Sequence, residues 1–488
     1  VSPGAGADVV VVGAGPTGLL LAGDLAEAGA DVLVLEKRFG RSNLTRAFAV
    51  HARTLEHLRV RGLAEALVAT GQPVDRLQLF GSATLPLTGL DSPFPFVLVT
   101  PQHHVERLLL ERALDHGARL VEGVTVTDLT QDDDGVRLSG VDQDGGTTVT
   151  EAAYVVGTDG HRSRVRDALG LDFPGESVIR SLVLADVRLG SPPPDVLTAR
   201  GNQEGFVFVA PFGDGWYRVI ARDARREPDV DEPVSLAEVR DVVQRVLGTD
   251  LGMGETRWTS RFHSDERQVR RYRVGRALLA GDAAHVHSPA GGMGMNTGLQ
   301  DAANLSWKLA AVLDGRARDD LLDTYHDERQ PIGAQVLRVS GGLIRAALRR
   351  DPVTRAMRDV AIRTATSLPR VRAALVGRVS GVGLRYPAPA GSHRAVGSRA
   401  HRGGTDLPLS PARFVLAAPQ RLLAAHHPAA VVRTVETDPA APAVLVRPDG
   451  YLAWQQDPGG DDAAGLARAA ARWGAVAPGQ RPPGSAPR

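Results

Sequence analysis

An apolar run from Val9 to Val12 stops at Gly13-Ala14-Gly15-Pro16-Thr17-Gly18, and a helical pattern from Leu19 to Ala28 follows until Gly29 ends it. A second apolar run, Val32 to Leu35, closes on Glu36, about twenty residues beyond the glycines. Strand, glycine turn, helix, strand and terminal acid specify a βαβ unit, which commits this part of the chain to a parallel sheet. The glycines permit a tight turn and close approach of backbone to a pyrophosphate, while the helix N-terminus offers unpaired N–H groups to the negative charge. Glu36 is placed to accept both hydroxyls of an adenosine ribose. Gly13, Gly15, Pro16, Thr17, Gly18, Glu36 and Lys37 are therefore the first cofactor-binding candidates. This unit alone does not separate FAD from NAD.

Composition narrows the class. A chain of 488 residues has room for roughly three domains. Its formal net charge of +1, with acids and bases interspersed, gives no electrostatic case for nucleic acid or an anionic membrane. Arginine replaces lysine everywhere except Lys37 and Lys308. There is no cysteine, which excludes disulfides, thiolate catalysis and Cys-type metal sites. Asp8 precedes the first apolar run without a basic lead, and no charge-free run is long enough to cross a bilayer. These features predict a soluble cytoplasmic protein with no membrane or nucleic-acid partner.

Two distant segments sharpen the ligand. Tyr154 to Val156 reads as a strand end running into Gly157-Thr158-Asp159-Gly160-His161-Arg162-Ser163, followed by helical Val165 to Leu169. Ala277 to Ala280 is another strand end; it runs into Gly281-Asp282, and a helix begins near Gly294. Asp282, at the carboxyl end of a strand, is placed to hydrogen-bond a polyol such as a ribityl chain. The Gly294 helix points its positive end at whatever lies above it, and a reduced flavin carries negative charge on its pyrimidine side. His285 and His287 stand one apart on a turn, but no acid or third histidine near them in sequence completes a metal site, so no metal is predicted. No catalytic base is assigned.

Gly13 to Gly18, Gly157 to Ser163 and Gly281 to Asn296 resemble, in order and spacing, the three fingerprints of single-component FAD-dependent aromatic hydroxylases, the flavoprotein monooxygenases typified by para-hydroxybenzoate hydroxylase. Arg46 to Glu56 and the Thr100-Pro101-Gln102 step are similar to the aromatic polyketide hydroxylases of antibiotic pathways. The resemblance implies an α/β fold: a Rossmann-like FAD-binding domain, an inserted β-sheet substrate domain and a C-terminal thioredoxin-like domain. It implies FAD as cofactor, NADPH and O2 as co-substrates, and hydroxylation of a polycyclic aromatic, polyketide-type substrate through a flavin C4a-hydroperoxide. NADH in place of NADPH, a Baeyer-Villiger or epoxidising outcome, a flavin reductase, a non-catalytic flavin-binding protein and a homodimer all stay open. It further implies that Arg46 and Gln102 lie along the cofactor, that Asp159 handles both FAD and NADPH, and that Asp282 binds the ribityl chain. Pro289 and Gly292 would belong to the cofactor site, and Gly294, Met295 and Asn296 would offer backbone contacts to the pyrimidine ring. Where the family often has Gly-Gly-Gln-Gly, this chain has Gly291-Gly292-Met293-Gly294, which makes Met293 a candidate substrate contact.

The resemblance and the composition shifts together divide the chain into an FAD-binding domain of residues 1–73, 100–174 and 275–380, a substrate domain of 74–99 and 175–274, and a third domain of 381–488. Alternating residues make strands the expected structure of the insertions. Period two places Phe206 and Phe208 on one face and Val207 and Val209 on the other, and Phe206, Phe208, Phe212 and Trp216 become candidate substrate-lining residues. Without cysteine the third domain cannot exchange disulfides, and the tail after Ala477, rich in Pro, Gly and Arg, is expected to be mobile.

Overall fold

The computed structural model describes residues 6–40, 47–79, 83–212, 214–347, 351–400, 407–425, 429–457 and 463–476. The opening strand, Ala7–Val12, lies inside an eight-stranded sheet, between the parallel strands Val32–Glu36 and Thr147–Gly157. Arg119–Glu122 extends the sheet in parallel on one side and Ala277–Leu279 on the other. Val9, Val10, Val11, Val32, Leu33, Val155 and Val156 are fully buried, as strands covered on both faces require. The register pairs Val12 with both Leu35 and Gly157, and Gly157 with Leu279, so four strands end at one level. Ligands of open parallel sheets bind beyond such carboxyl ends.

Two helices start at that level. Pro16–Glu27 is buried from Gly18 to Ala26, and Gly294–Leu313 is buried from Asn296 to Ala311. They cross closely because glycine removes the side chain at the contact. A Cβ on Gly298 would stand 2.4 Å from Thr17 Oγ1, and one on Gly281 would stand 2.7 Å from the same atom.

The second sheet is six-stranded and antiparallel, ordered Thr198–Gly201, Gly205–Pro211, Trp216–Asp223, Gly175–Leu189, Met253–Gln268 and His285–Val286. Its last strand belongs to the Gly281–Gly294 segment, so the sheet is fastened to that loop through the pairs Arg267–Val286 and Gln268–His285. Val207 and Val209 are buried on the far face, under helix Leu236–Leu247. That helix corrects the expectation of strands alone between 175 and 274. Ser235 Oγ accepts from Glu238 N at 3.1 Å to cap its start, and Gly248 ends it with φ +79°.

A third sheet, ordered Val432–Glu436, Phe414–Ala418, Val444–Val446 and Leu452–Gln455, packs with helix Ala463–Trp473 against Trp307 and Ala311 of the Gly294 helix. The contact contains a buried ionic network. Glu328 accepts from Lys308 Nζ at 2.7 Å, from Asn304 Nδ2 at 2.7 Å and from Arg447 at 2.5 and 2.9 Å, and Arg447 also pairs with Asp449. Among the described residues no helix is long and apolar enough to cross a membrane.

This network sets a pH dependence. Burial opposes the charge of Glu328, but Arg447 and Lys308 hold its pKa at about 2, against an ordinary 4.5. Its ionisation therefore stabilises the fold above pH 4.5, by about 3 kcal/mol, and that contribution is lost as pH falls from 4.5 through 2. Burial lowers Lys308 to about 8 from 10.5, so its charge costs stability below pH 8, and the cost disappears as pH rises toward 10.5. Urea midpoints measured from pH 5 to 2 are expected to fall more steeply in the native protein than in Glu328→Gln. Equal slopes would contradict the assignment.

Candidate active site

The two helix ends share an uncommon feature. Gly15, the N-cap of the Pro16 helix, is extended (φ −77°, ψ 176°), supplies no side-chain cap and has nothing within 4 Å of the place a Cβ would take. Met293, the N-cap of the Gly294 helix, gives no side-chain cap, and the space around a Cβ on Gly294 is equally open. Neither first turn carries an acid. The N–H groups of Gly15, Thr17 and Gly18, and those of Gly294, Met295 and Asn296, take no partner among the described residues. Uncapped helix ends facing open space are anion sites, and the crossing at Thr17 brings these two together.

The neighbouring glycines are tight rather than open. Gly13 has φ +106°, and a Cβ there would stand 2.6 Å from Thr158 O; a Cβ on Gly18 would stand 2.1 Å from Gly13 O. Glu36 lies beside this turn, accepting from Ala14 N at 2.8 Å through one oxygen and from Arg38 N and Nε at 3.0 and 2.9 Å through the other. Burial works against its charge, yet those N–H donors hold the carboxyl below its ordinary value. Lys37 is exposed, and Arg38, absent from the sequence candidates, makes the contact to Glu36 instead.

Asn296 fixes the second end. Its Oδ1 accepts from His51 N at 2.8 Å, while Nδ2 donates to Ala49 O at 2.9 Å and Gly292 O at 2.8 Å. His51 Nε2 lies 2.8 Å from Gly291 O. Gly292 has φ +60°, and a Cβ there would meet Ala49 Cβ at 2.8 Å, so the Pro289–Gly292 loop is pressed onto the strand Ala49–Val50. Asn296→Ala leaves one N–H and two carbonyls without that partner, a loss of about 2–4 kcal/mol. A lower melting temperature and weaker FAD retention are expected. Unchanged values for both would show that Asn296 does not fix the loop.

The remaining candidates fall around this cradle. Asp282 is exposed on the turn Gly281–Ala283, directly beyond the strand end. Asp159 Oδ2 accepts from Arg164 N at 2.6 Å and Val165 N at 3.3 Å, and its other oxygen is buried without a hydrogen-bond partner. Burial pushes this carboxyl up. Gln102 opens the helix Gln102–Asp115, accepting from Ala47 N at 3.3 Å and donating to Glu106 Oε1 at 2.7 Å. Pro289 is exposed. Arg46 lies outside the described residues.

Of the residues read as substrate-lining, the structure brings only some together. Phe208 lies 5.4 Å from Phe48 and shares a cluster with Leu184, Ile220, Phe262 and Ala290, where the second sheet meets the cofactor loop. Phe206 lies on the same strand face and is half-buried. Phe212 is buried beneath Arg218, whose carbon is 3.8 Å from the ring centre and whose nitrogens hold Asp186 at 2.9 Å twice. The guanidiniums of Arg188 and Arg257 each lie 4.8 Å from the Trp216 ring. Met293 does not join the Phe208 cluster: it is 4% exposed and packs with Ile332, Val336, Leu384, Tyr386 and Tyr451. An unbranched apolar side chain fills that buried gap.

His285 finds the acid that its sequence neighbourhood did not supply. Its Nε2 lies 2.5 Å from Asp301 Oδ2, one face of the Gly294 helix carries that acid, and Arg329 holds the other oxygen at 2.7 Å. Asp301 Oδ2 also accepts from Gly281 N at 3.1 Å. Among the described residues no cluster of three His, Cys, Asp or Glu could hold a metal.

A doubly covered parallel sheet, an acid beyond the glycine turn and a second open helix end beside an antiparallel sheet define a dinucleotide-cofactor-binding protein of the α/β class. The family described as FAD binding domain matches residues 6–340, and the one described as aromatic-ring hydroxylase, C-terminal, matches 391–477. The chain is 39% identical over 495 residues to the 12-dehydrotetracycline 5-monooxygenase/anhydrotetracycline 6-monooxygenase of Streptomyces rimosus, covering 92% of this chain and 95% of that protein. Among solved structures it is similar to the OxyS anhydrotetracycline hydroxylase from Streptomyces rimosus, with 37% identity, a TM-score of 0.84, and 96% of this chain and 99% of that one covered. CabE, an aromatic hydroxylase from angucycline biosynthesis, gives 39% identity, a TM-score of 0.84 and the same coverage. The chain belongs to the FAD-dependent aromatic-ring hydroxylases and is an FAD-dependent monooxygenase.

Proposed function

We propose that this enzyme uses NADPH and O2 to hydroxylate a polycyclic aromatic substrate of the polyketide type. The observation that carries the proposal is the pair of open helix ends lying under an aromatic sheet face. When bound, FAD supplies the activation of O2 and the transfer of one oxygen atom to the ring, with electrons drawn from NADPH. The N–H groups of Gly15, Thr17 and Gly18 bind the pyrophosphate, and Glu36 takes the adenosine ribose. Asp282 takes the ribityl chain. The N–H groups of Gly294, Met295 and Asn296 stabilise negative charge on the pyrimidine edge. Phe48 and Phe208 seat the substrate ring and keep water from the reacting atoms. The names of the tetracycline and angucycline relatives support a fused-ring phenol as substrate.

FAD-loaded protein tested with tetracycline-type and angucycline-type phenols is expected to oxidise NADPH faster with substrate than without, by about tenfold or more. Phe208→Ala is expected to raise KM for the phenol while FAD stays bound. Oxidation of NADPH that no phenol accelerates would overturn the reading.

A further inference from the structure

Helix Pro352–Ser367 has its amphipathicity inverted. Nine large apolar side chains are strongly exposed among the described residues, and five of them, Val353, Met357, Val360, Leu368 and Val371, fall within this helix and the start of the next. On Pro352–Ser367 the exposures are 65% for Val353, 66% for Met357 and 57% for Val360. At 100° per residue, Val353, Met357, Val360 and Thr364 occupy a sector about 60° wide, spaced four, three and four residues apart. The charged pair Arg358 and Asp359, 2.6 Å apart, is turned toward the other side and half-buried. A water-facing helix ordinarily shows the reverse arrangement, and an exposed apolar strip of this kind marks an interaction surface. Beside it, an open groove of about 480 Å³ between this helix and the preceding one is lined by Gly342, Arg345, Ala346, Met357, Arg358 and Ala361.

The charge around the strip selects its occupant. Between positions 345 and 380 the sequence carries nine arginines and two aspartates; Arg345 is paired with Glu176 and Glu266 and Arg358 with Asp359, and the surplus that remains includes Arg363, Arg370, Arg372 and Arg378, which form no ion pair among the described residues. Arg363, Arg370 and Arg378 are exposed. A second copy would bring the same surplus against itself. A membrane-surface helix needs a broad apolar face with bulky anchors, whereas this strip is narrow and has no aromatic residue. The four-three-four spacing is that of a seam packed against another helix.

We propose that Pro352–Ser367 is a docking face for an acidic amphipathic helix of a partner protein, with apolar side chains on the Val353–Thr364 seam and acids paired to the flanking arginines. The test uses the full-length FAD-loaded enzyme and a fluorescent peptide of heptads with leucine at the seam positions and glutamate at the flanks. The control is the same peptide with lysine for glutamate. Fluorescence anisotropy is expected to show saturable binding of the acidic peptide, weakened by salt, and binding at least about tenfold weaker in both Met357→Glu/Val360→Glu and Arg363→Glu/Arg370→Glu. Both variants are expected to keep native FAD content and substrate-dependent NADPH oxidation, since all four side chains are exposed and none makes a contact described for the cradle. Absence of acidic-peptide binding, or equal binding of the lysine peptide, overturns the proposal. Dimerisation of the native chain that Met357→Glu/Val360→Glu abolishes, without peptide binding, assigns the strip to a second copy and overturns it as well. Binding to vesicles containing phosphatidylglycerol but not to the peptide assigns it to a membrane and does the same.

Discussion

Gly15→Asp is expected to yield a folded, colourless protein. Gly15 is already extended, and nothing stands within 4 Å of its missing Cβ, so the protein accepts the new side chain without strain. Aspartate is a better N-cap than glycine by a few tenths of a kcal/mol and also complements the helix dipole, so the apo fold gains slightly. The same carboxylate enters the space proposed for the pyrophosphate. Like charges about 4 Å apart at an effective dielectric near 20 repel by about 4 kcal/mol, roughly three orders of magnitude in affinity. Gly18→Ala makes the contrasting case, because its Cβ would lie 2.1 Å from Gly13 O and the turn itself must give way. Absorbance of bound FAD with far-UV circular dichroism separates the two. A Gly15→Asp protein that purifies with native flavin content would refute the placement of the pyrophosphate.

Arg447→Met is expected to loosen the C-terminal sheet from the FAD domain. Arg447 is fully buried between two acids, donating to Glu328 at 2.5 and 2.9 Å and pairing with Asp449. Removal leaves Glu328 with Lys308 and Asn304 only, while Asp449 keeps Asn304 at 3.1 Å. Stranding buried charge in this way costs about 3–5 kcal/mol. The guanidinium also lies 5.2 Å from the ring of Trp307 and 4.8 Å from that of Trp473, so tryptophan fluorescence reports on this junction. In urea the fluorescence transition is expected to move to lower concentration and to separate from flavin release. Coincident and unshifted transitions would show that the network contributes little to docking.

The parts of this architecture visible in the sequence are those where backbone geometry leaves few alternatives. Gly13, Gly18 and Gly281 stand where a Cβ would strike backbone or the Thr17 side chain, and such positions leave glycine in the sequence. The Gly294 helix start was legible because paired glycines precede a long apolar pattern. Long-range polar partners were not. Asp301 reaches His285 only because the Gly294 helix folds back across the strand end, and Asn296 binds Ala49 and His51 from some 245 positions away. Helix Leu236–Leu247 carried readable signals in Ser235, Glu238 and Gly248, but its valines have high strand propensity and favoured the other reading. Aromatic residues in a sheet look alike from sequence. Only packing separates Phe208, which meets Phe48 beside the loop, from Phe212, which covers an ion pair.

Incorporation of labelled dioxygen tests the central claim most directly. FAD-loaded enzyme, NADPH and an accepted polycyclic phenol under labelled O2 are expected to give a product carrying one labelled oxygen atom on the ring, with one NADPH consumed per product. Product formed without label, or NADPH consumption that yields only hydrogen peroxide with every phenol, would contradict it.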